Sequence, residues 1–168
     1  MLSVNEVYKV FNPGTVNEKV ALRNVTVTLE EGDFVTLIGG NGAGKSTLLN
    51  SIAGVFPVDK GSIIIDGTDV TKLPEHKRAA MLGRVFQDPM MGTASNMWIE
   101  ENLALAFRRG KRRTLKWGIT NKERMMYKEL LAPLGLGLEN RLTTKVGLLS
   151  GGQRQALTLL MATLKKPK

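Results

Sequence analysis

The sequence has 168 residues, no cysteine and a single histidine, His76. A disulfide framework and a thiolate zinc site are excluded, and one histidine leaves little room for a His-based metal site or a Ser-His-Asp triad. No stretch approaches the roughly 18 continuous apolar residues of a membrane helix. The opening residues, MLSVNEVYKVFN, have neither a basic n-region nor an apolar h-region, so no signal peptide is expected. Aromatic residues are scarce, at 5%. The balance of 42% apolar and 23% charged residues suits one soluble globular domain and excludes collagen-like, disordered and membrane-spanning classes. The expected location is cytosolic.

The net charge of +9 is unevenly spread. Between Arg108 and Lys128 stand Arg108, Arg109, Lys111, Arg112, Arg113, Lys116, Lys122, Arg124 and Lys128 against one acid, Glu123, so this segment alone carries +8. The rest of the chain is close to neutral, which a uniformly basic nucleic-acid binder would not be. Stacking on nucleic-acid bases also needs aromatics among the cations, and only Trp117 and Tyr127 lie in the run.

Residues 2–37 read as β structure, with Val25, Val27 and Leu29 alternating against Thr26 and Thr28. After the turn at Glu31-Gly32-Asp33, the apolar run Phe34–Ile38 predicts a buried strand. It leads into a glycine-rich loop and then a helix from Lys45, with Leu48, Leu49, Ile52 and Ala53 on one face and Gly54 as its stop. Further strands are expected at Ser62–Ile65 and Leu82–Phe86. Helices are expected after Asn96 (Ile99, Leu103, Ala106 and Phe107 sharing a face), over Lys122–Leu131, and from near Gly152, with Ala156, Leu157, Leu159, Leu160, Met161 and Leu164 as its apolar residues. That last helix is apolar almost all round and is expected to be buried. Strand, glycine loop, helix and a helical insertion make an α/β protein.

Gly39-Gly40-Asn41-Gly42-Ala43-Gly44-Lys45-Ser46 matches G-x-x-x-x-G-K-[ST] at every position. Glycines let the backbone curl and turn its N–H groups toward a phosphate, and the following helix adds the positive end of its dipole. Lys45 can reach the β- and γ-phosphates, the Ser46 hydroxyl can take a Mg²⁺ position, and Thr47 is a further phosphate contact. A second such site opens the final helix at Leu149-Ser150-Gly151-Gly152-Gln153. Ser150 reads as an N-cap, and it also offers a hydroxyl beside uncovered glycine N–H groups. One triphosphate does not need two sites on one chain. A dimer in which each chain's second site closes on the other chain's nucleotide needs both.

With the phosphate loop followed by LSGGQ, 105 residues from Lys45 to Ser150, the sequence resembles the ATP-binding subunit of an ABC transporter from about residue 2 to residue 168. The resemblance implies an α/β P-loop NTPase of the ABC ATPase type. It has an N-terminal antiparallel β subdomain and a helical subdomain, with the C-terminal part of the core sheet missing. The single domain over 1–168 divides into a β subdomain and Walker A core (about 1–86), a Q-loop and helical subdomain (about 87–150), and the signature with its helix (149–168). Phe11 fits the family's adenine-stacking aromatic, ahead of Tyr8. Gln87 falls on the Q-loop glutamine, implied to touch Mg²⁺ and to signal to the membrane subunit. Gly39, Asn41, Gly42, Ala43, Gly44, Lys45, Ser46 and Thr47, with Ser150, Gly151, Gly152 and Gln153, fall on the nucleotide-binding motifs. ATP and Mg²⁺ are the implied cofactors, with Ser46 and Gln87 as the metal contacts.

The pattern departs from the family after the signature. The Walker B aspartate and the water-orienting glutamate are missing, for no acid follows Glu139, and the switch histidine is missing too; a subunit truncated before Walker B is the expectation. Ile63-Ile64-Ile65-Asp66 imitates a Walker B strand but precedes Gln87, and Gly67-Thr68 turns the chain at once, so a hairpin is predicted there. His76 also precedes Gln87 and reads as a solvated loop residue. The basic run falls in the helical subdomain, as a solvated face or as a contact to permease loops or anionic lipid. The implied partners are a second ATPase subunit packed head to tail, separate membrane permease subunits and a solute-binding protein. No nucleic acid is expected, and the implied position is peripheral, on the inner face of the cell membrane. An importer-like transport ATPase is the reading. A soluble ABC ATPase acting on ribosomes or DNA, and a fragment that binds without turnover, stand as alternatives.

Overall fold

The computed structural model describes residues 1–88, 90–111 and 118–167. These form two compact units, Met1–Leu82 and Gly83–Pro167. Arg112, Arg113, Lys116 and Trp117 of the basic run lie outside the described residues.

The first unit is built on an antiparallel sheet of β1 (Leu2–Phe11), β2 (Lys19–Leu29), β3 (Lys60–Ile65) and β4 (Thr68–Asp69), in the order β2-β1-β3-β4. The alternation in β2 is as expected: Val25, Val27 and Leu29 are half-buried, while Thr26 and Thr28 are exposed. The β1–β2 ladder runs from Leu2 opposite Leu29 to Phe11 opposite Lys19, with irregularities along it. The predicted hairpin at Asp66 is present. Ile65 pairs with Thr68, and Asp66 and Gly67 both take positive φ, 49° and 73°, the conformation of a tight primed turn. Val4, Val7, Leu22, Ile63, Ile65 and Val70 form the core, with Leu48 of α1 (Lys45–Ala53) packed into it.

Several expectations need correction here. Phe34–Ile38 is not a strand, and Phe34 and Ile38 are 93% and 92% exposed. Leu82–Phe86 is not a strand either. An apolar β-prone run becomes a strand only when another strand offers it a ladder, and among the described residues every strand pairing is antiparallel and none involves these segments. On α1, Leu49 faces outward at 54% exposure, and Ser51 takes the buried place one turn beyond Leu48. His76 is exposed as expected, but it lies in the short helix α2 (Glu75–Arg78) rather than in a loop.

The second unit contains α3 (Ile99–Phe107), α4 (Asn121–Leu131) and α5 (Gly151–Thr163), with 3₁₀ turns at Ala132–Leu134, Leu138–Asn140 and Val146–Leu148. The helices begin where their chemistry allows. Thr120 and Glu123 cap α4 reciprocally, and Ser150 and Gln153 do the same for α5. Ile99, Leu103, Tyr127, Leu131, Leu138 and Leu157 are fully buried and meet in one core. Helix α5 is not buried all round: Gly152, Gln155, Leu159 and Thr163 form an exposed stripe, with Leu159 at 56%.

Candidate nucleotide-binding site

The phosphate loop leads into α1 through Gly44, whose φ of 89° and ψ of 0° no β-carbon residue adopts without strain. A β-carbon there would also run into the carbonyl oxygen of Ala21 and lie 3.3 Å from Leu22 Cδ2. The loop therefore rests on the backbone of β2, and Gly44 is what lets it do so. No side chain caps α1, so the N–H groups of its first turn keep their hydrogen-bonding capacity and their share of the helix dipole. Lys45 stands in that turn, its Nζ donating to the carbonyl oxygens of Gly39 (2.6 Å) and Gly40 (2.8 Å). An ammonium has three donors, so the loop orients Lys45 and leaves it one more. The side of Ser46 is exposed and Thr47 is half-buried.

This geometry fits a polyphosphate: uncapped N–H groups, a helix N-terminus and a cation converge on one short loop. It also suits Mg²⁺, a hard ion that binds through hydroxyl, carboxylate and phosphate oxygens. Among the described residues no group of three or more His, Cys, Asp or Glu could hold a metal. The Ser46 hydroxyl with the oxygens of a bound phosphate is the donor set this loop offers.

Phe11 ends β1 and is half-buried. Its ring meets that of Phe56 nearly at right angles, with centroids 5.2 Å apart, and Lys9 Nζ lies 5.6 Å from its centre. Lys9 is itself paired with Asp59 at 3.0 Å, and Asp59 also accepts from the Val10 N–H at 2.7 Å. The ring is thus fixed in place from two sides. Tyr8 has no comparable aromatic neighbour among the described residues.

The signature motif lies in the second unit. Ser150 Oγ accepts from the Gln153 N–H at 3.3 Å, and Gln153 Oε1 accepts from the Ser150 N–H at 3.1 Å. The box uses the acceptor side of the hydroxyl and leaves its proton free to donate. Arg154 Nη2 donates to the carbonyl oxygens of Gly147 and Leu149, holding the turn that precedes the motif. Gly151 and Gly152 are exposed, and a β-carbon on either would meet nothing within 4 Å.

Gln87 is exposed, on a segment carried by α5. A β-carbon on Gly83 would approach Ala162 O to 2.8 Å, and one on Gly92 would approach Thr158 Cγ2 to 2.6 Å. Two glycines on either side of Gln87 thus let its segment press against successive turns of the signature helix. The described part of the basic run is largely engaged within its own unit. Arg108 pairs with Glu123 at 2.8 Å, Arg109 donates to Lys165 O, Lys111 sits over the Phe107 ring at 4.2 Å, and Arg124 grips Glu100 with two hydrogen bonds.

Sequence reasoning passed over Arg154, Phe56 and Lys19. A β-carbon on Gly42 would lie 3.6 Å from Lys19 Nζ. The register that sets Lys19 opposite Phe11 joins residues from two strands, and no local pattern announces it.

Among known proteins, a family model described as ABC transporter matches residues 22–168. The chain belongs to the ABC transporter family. It is 42% identical, over all 168 residues, to the tyrosine transport ATP-binding protein of Clostridioides difficile (strain R20291), and spans 66% of that protein's length. It is 34% identical over 151 residues, 90% of the chain, to the spermidine/putrescine import ATP-binding protein PotA of Pasteurella multocida (strain Pm70), spanning 38% of its length. Among solved structures of ABC transporter cassettes, the dimeric post-hydrolysis state of the ATP-binding cassette MJ0796 bound to ADP and Pi superposes with a TM-score of 0.81. It is 28% identical, and the match covers 99% of this chain and 71% of that one. A nucleotide-free cassette from an ABC transporter matches with a TM-score of 0.74 at 27% identity, over 99% of this chain and 66% of that one. The fold is that of part of a P-loop ABC ATPase. Among the described residues, no helix is long and apolar enough to cross a membrane.

Proposed function

We propose that this chain is the nucleotide-binding part of an importer-type ABC ATPase, which binds MgATP and couples its hydrolysis to solute transport through separate permease subunits. The observation that carries the reading is the loop itself. Gly44 is seated on β2 at φ 89°, the helix start carries no side-chain cap, and Lys45 is tethered to Gly39 and Gly40. Ser46 is the Mg²⁺ contact on this loop, Phe11 the stacking surface for adenine, and Gln87 the Q-loop residue. Phosphoryl transfer to water is mostly positioning and charge stabilisation.

Ser150, Gly151 and Gly152 are assigned to a partner subunit's nucleotide in a head-to-tail dimer. Open space around the two glycines supports this, since among the described residues nothing lies within 4 Å of where their β-carbons would stand. The permease is assigned to a groove of about 350 Å³ on the helical unit, lined by Trp98, Leu105, Ile119 and the Glu100–Arg124 pair. Trp98 and Leu105 are 42% and 39% exposed there, and exposed apolar surface in a concave site marks a partner. The relative named for tyrosine transport favours an amino acid as cargo. Equilibrium dialysis against labelled ATP tests the central claim: Lys45→Ala should lose measurable binding, and an unchanged affinity would overturn it.

A further inference from the structure

We propose that Lys19 is a nucleotide-binding residue, a second cation at the phosphate loop that takes the α-phosphate of the bound nucleotide. The inference rests on the reading of Gly39–Ser46 as a nucleotide site. It adds a residue that no phosphate-loop pattern contains.

Three observations in the first unit carry it. Lys19 is the first residue of β2 and stands directly opposite Phe11 at the end of the β1–β2 ladder. Directly opposed residues of an antiparallel pair send their side chains to the same face, so Lys19 shares a face with the ring assigned to adenine. Its ammonium then reaches the loop: a β-carbon on Gly42 would lie 3.6 Å from Lys19 Nζ, ordinary contact distance. Finally, the cation is not committed elsewhere. Its neighbour Glu18 accepts from the Gly14 N–H at 2.7 Å within the turn, and no carboxylate among the described residues forms an ion pair with Lys19.

Aromatic ring, ammonium and phosphate loop therefore follow one another in space as base, linking group and phosphates follow one another in a nucleotide. A nucleotide with its base on Phe11 and its terminal phosphates at Lys45 passes Lys19 with its ribose and first phosphate. Of these only the phosphate is charged, and an N⁺–H···O⁻ bond is about twice as strong as a neutral one. The spacing also divides the labour between the two lysines. Lys45 serves the β- and γ-phosphates, and Lys19 serves the phosphate that ATP and ADP share.

The test is equilibrium dialysis of the whole chain with labelled ATP, ADP and adenosine. Lys19→Met and Lys19→Gln should weaken ATP and ADP by the same factor, about tenfold, and leave adenosine unchanged. Lys19→Arg, which keeps the charge, should stay within about twofold of the parent. Lys19 is exposed, so none of these variants disturbs the core, and thermal unfolding of each confirms that it is folded. Lys45→Ala is measured alongside. If Lys45→Ala loses ATP while Lys19→Met and Lys19→Gln bind as the parent does, the assignment of Lys19 is overturned and the phosphate-loop reading stands. If Lys45→Ala and both Lys19 variants bind as the parent does, both fall. Equal loss of adenosine in the Lys19 variants would also overturn the proposal, because it would place the effect on the base or ribose.

Discussion

Replacing Arg78 by Met should destabilise the first unit by about 3 kcal/mol. Arg78 is only 2% exposed, yet it has no carboxylate partner among the described residues. Its guanidinium is consumed by backbone: Nε donates to Leu73 O at 2.8 Å, Nη1 to Ser51 O at 2.8 Å and Ile52 O at 3.0 Å, and Nη2 to Thr71 O at 2.9 Å. Ser51 and Ile52 close the last turn of α1, so the residue caps the C-terminus of the phosphate-loop helix and presents a cation to its negative end. Methionine keeps much of the bulk and none of the donors. A buried acceptor left without a donor costs about 1–3 kcal/mol, and several are affected. Relief from holding a charge out of water offsets part of that, which leaves a net near 3 kcal/mol.

Against a total of about 5–15 kcal/mol for a folded domain and a urea slope of about 2 kcal/mol/M, the urea midpoint should fall by about 1.5 M. The assay is urea unfolding followed by far-ultraviolet circular dichroism. Gly54→Ala should reproduce part of the loss, because Gly54 has φ 86° and a β-carbon there would stand 2.8 Å from Arg78 Nε. Arg78→Lys should recover little, since one ammonium cannot span four carbonyls on two segments. A midpoint shift below about 0.5 M for Arg78→Met, which is about 1 kcal/mol by the same slope, would refute the argument that these four hydrogen bonds anchor α1.

Three other outcomes follow from the same geometry. Burial works against ionisation of Asp59, but the Val10 N–H and Lys9 prevail and hold its pKa below the ordinary 3.8; the stability this adds is present above that value and lost as pH falls through the lower folded one, so Asp59→Asn should flatten the acid limb of urea midpoints measured from pH 5 to 2. Burial first, then Glu123, pushes the Tyr127 hydroxyl from 10.0 to about 12, and it has no hydrogen-bond partner among the described residues. Stability should therefore decline between pH 10 and 12 as the unfolded chain alone loses this proton, and Tyr127→Phe should remove that decline and gain about 1 kcal/mol at neutral pH in the same assay. Ser150→Arg should leave the ATP affinity of the single chain within about twofold while abolishing any ATP-dependent dimer in sedimentation; a dimer that survives would count against the head-to-tail arrangement.

What the sequence made legible was what short-range chemistry decides. Asp66-Gly67 turns because both residues tolerate positive φ, Gly54 stops α1 with φ 86°, and Ser150 with Gln153 starts α5 by a reciprocal cap. Each of these rests on residues within a few positions of one another. The misreadings share an opposite cause. Phe34–Ile38 and Leu82–Phe86 have strand composition, but a strand is a relation to a neighbour and no ladder reaches them. Leu49 fits the helical period and still faces outward, because the core meets α1 along a stripe narrower than the apolar pattern. In the candidate site, Lys45 and Ser46 follow from the motif alone. The placement of Lys19 beside Gly42, opposite Phe11, follows from strand register, and the seat of Gly44 on Ala21 follows from how the loop lies on β2.

The glycines of the two nucleotide motifs are there for different physical reasons. Gly42 and Gly44 take φ of 83° and 89°, and a β-carbon on Gly44 collides with the backbone of β2, so the chain needs glycine there in order to fold. Gly151 and Gly152 occupy the first turn of an ordinary α-helix, without positive φ and with open space where a side chain would be. Glycine in a helix interior costs about 1 kcal/mol relative to alanine and less at its first turn, and among the described residues no close neighbour requires glycine at these two positions. The proposed head-to-tail arrangement supplies a reason for them: something that approaches the helix N-terminus more closely than a β-carbon allows. An anion meets that description, because it is drawn to the same N–H groups and to the positive end of the same dipole. On the proposed function, the first motif is explained by the fold of the chain that carries it, and the second by the nucleotide of a partner subunit.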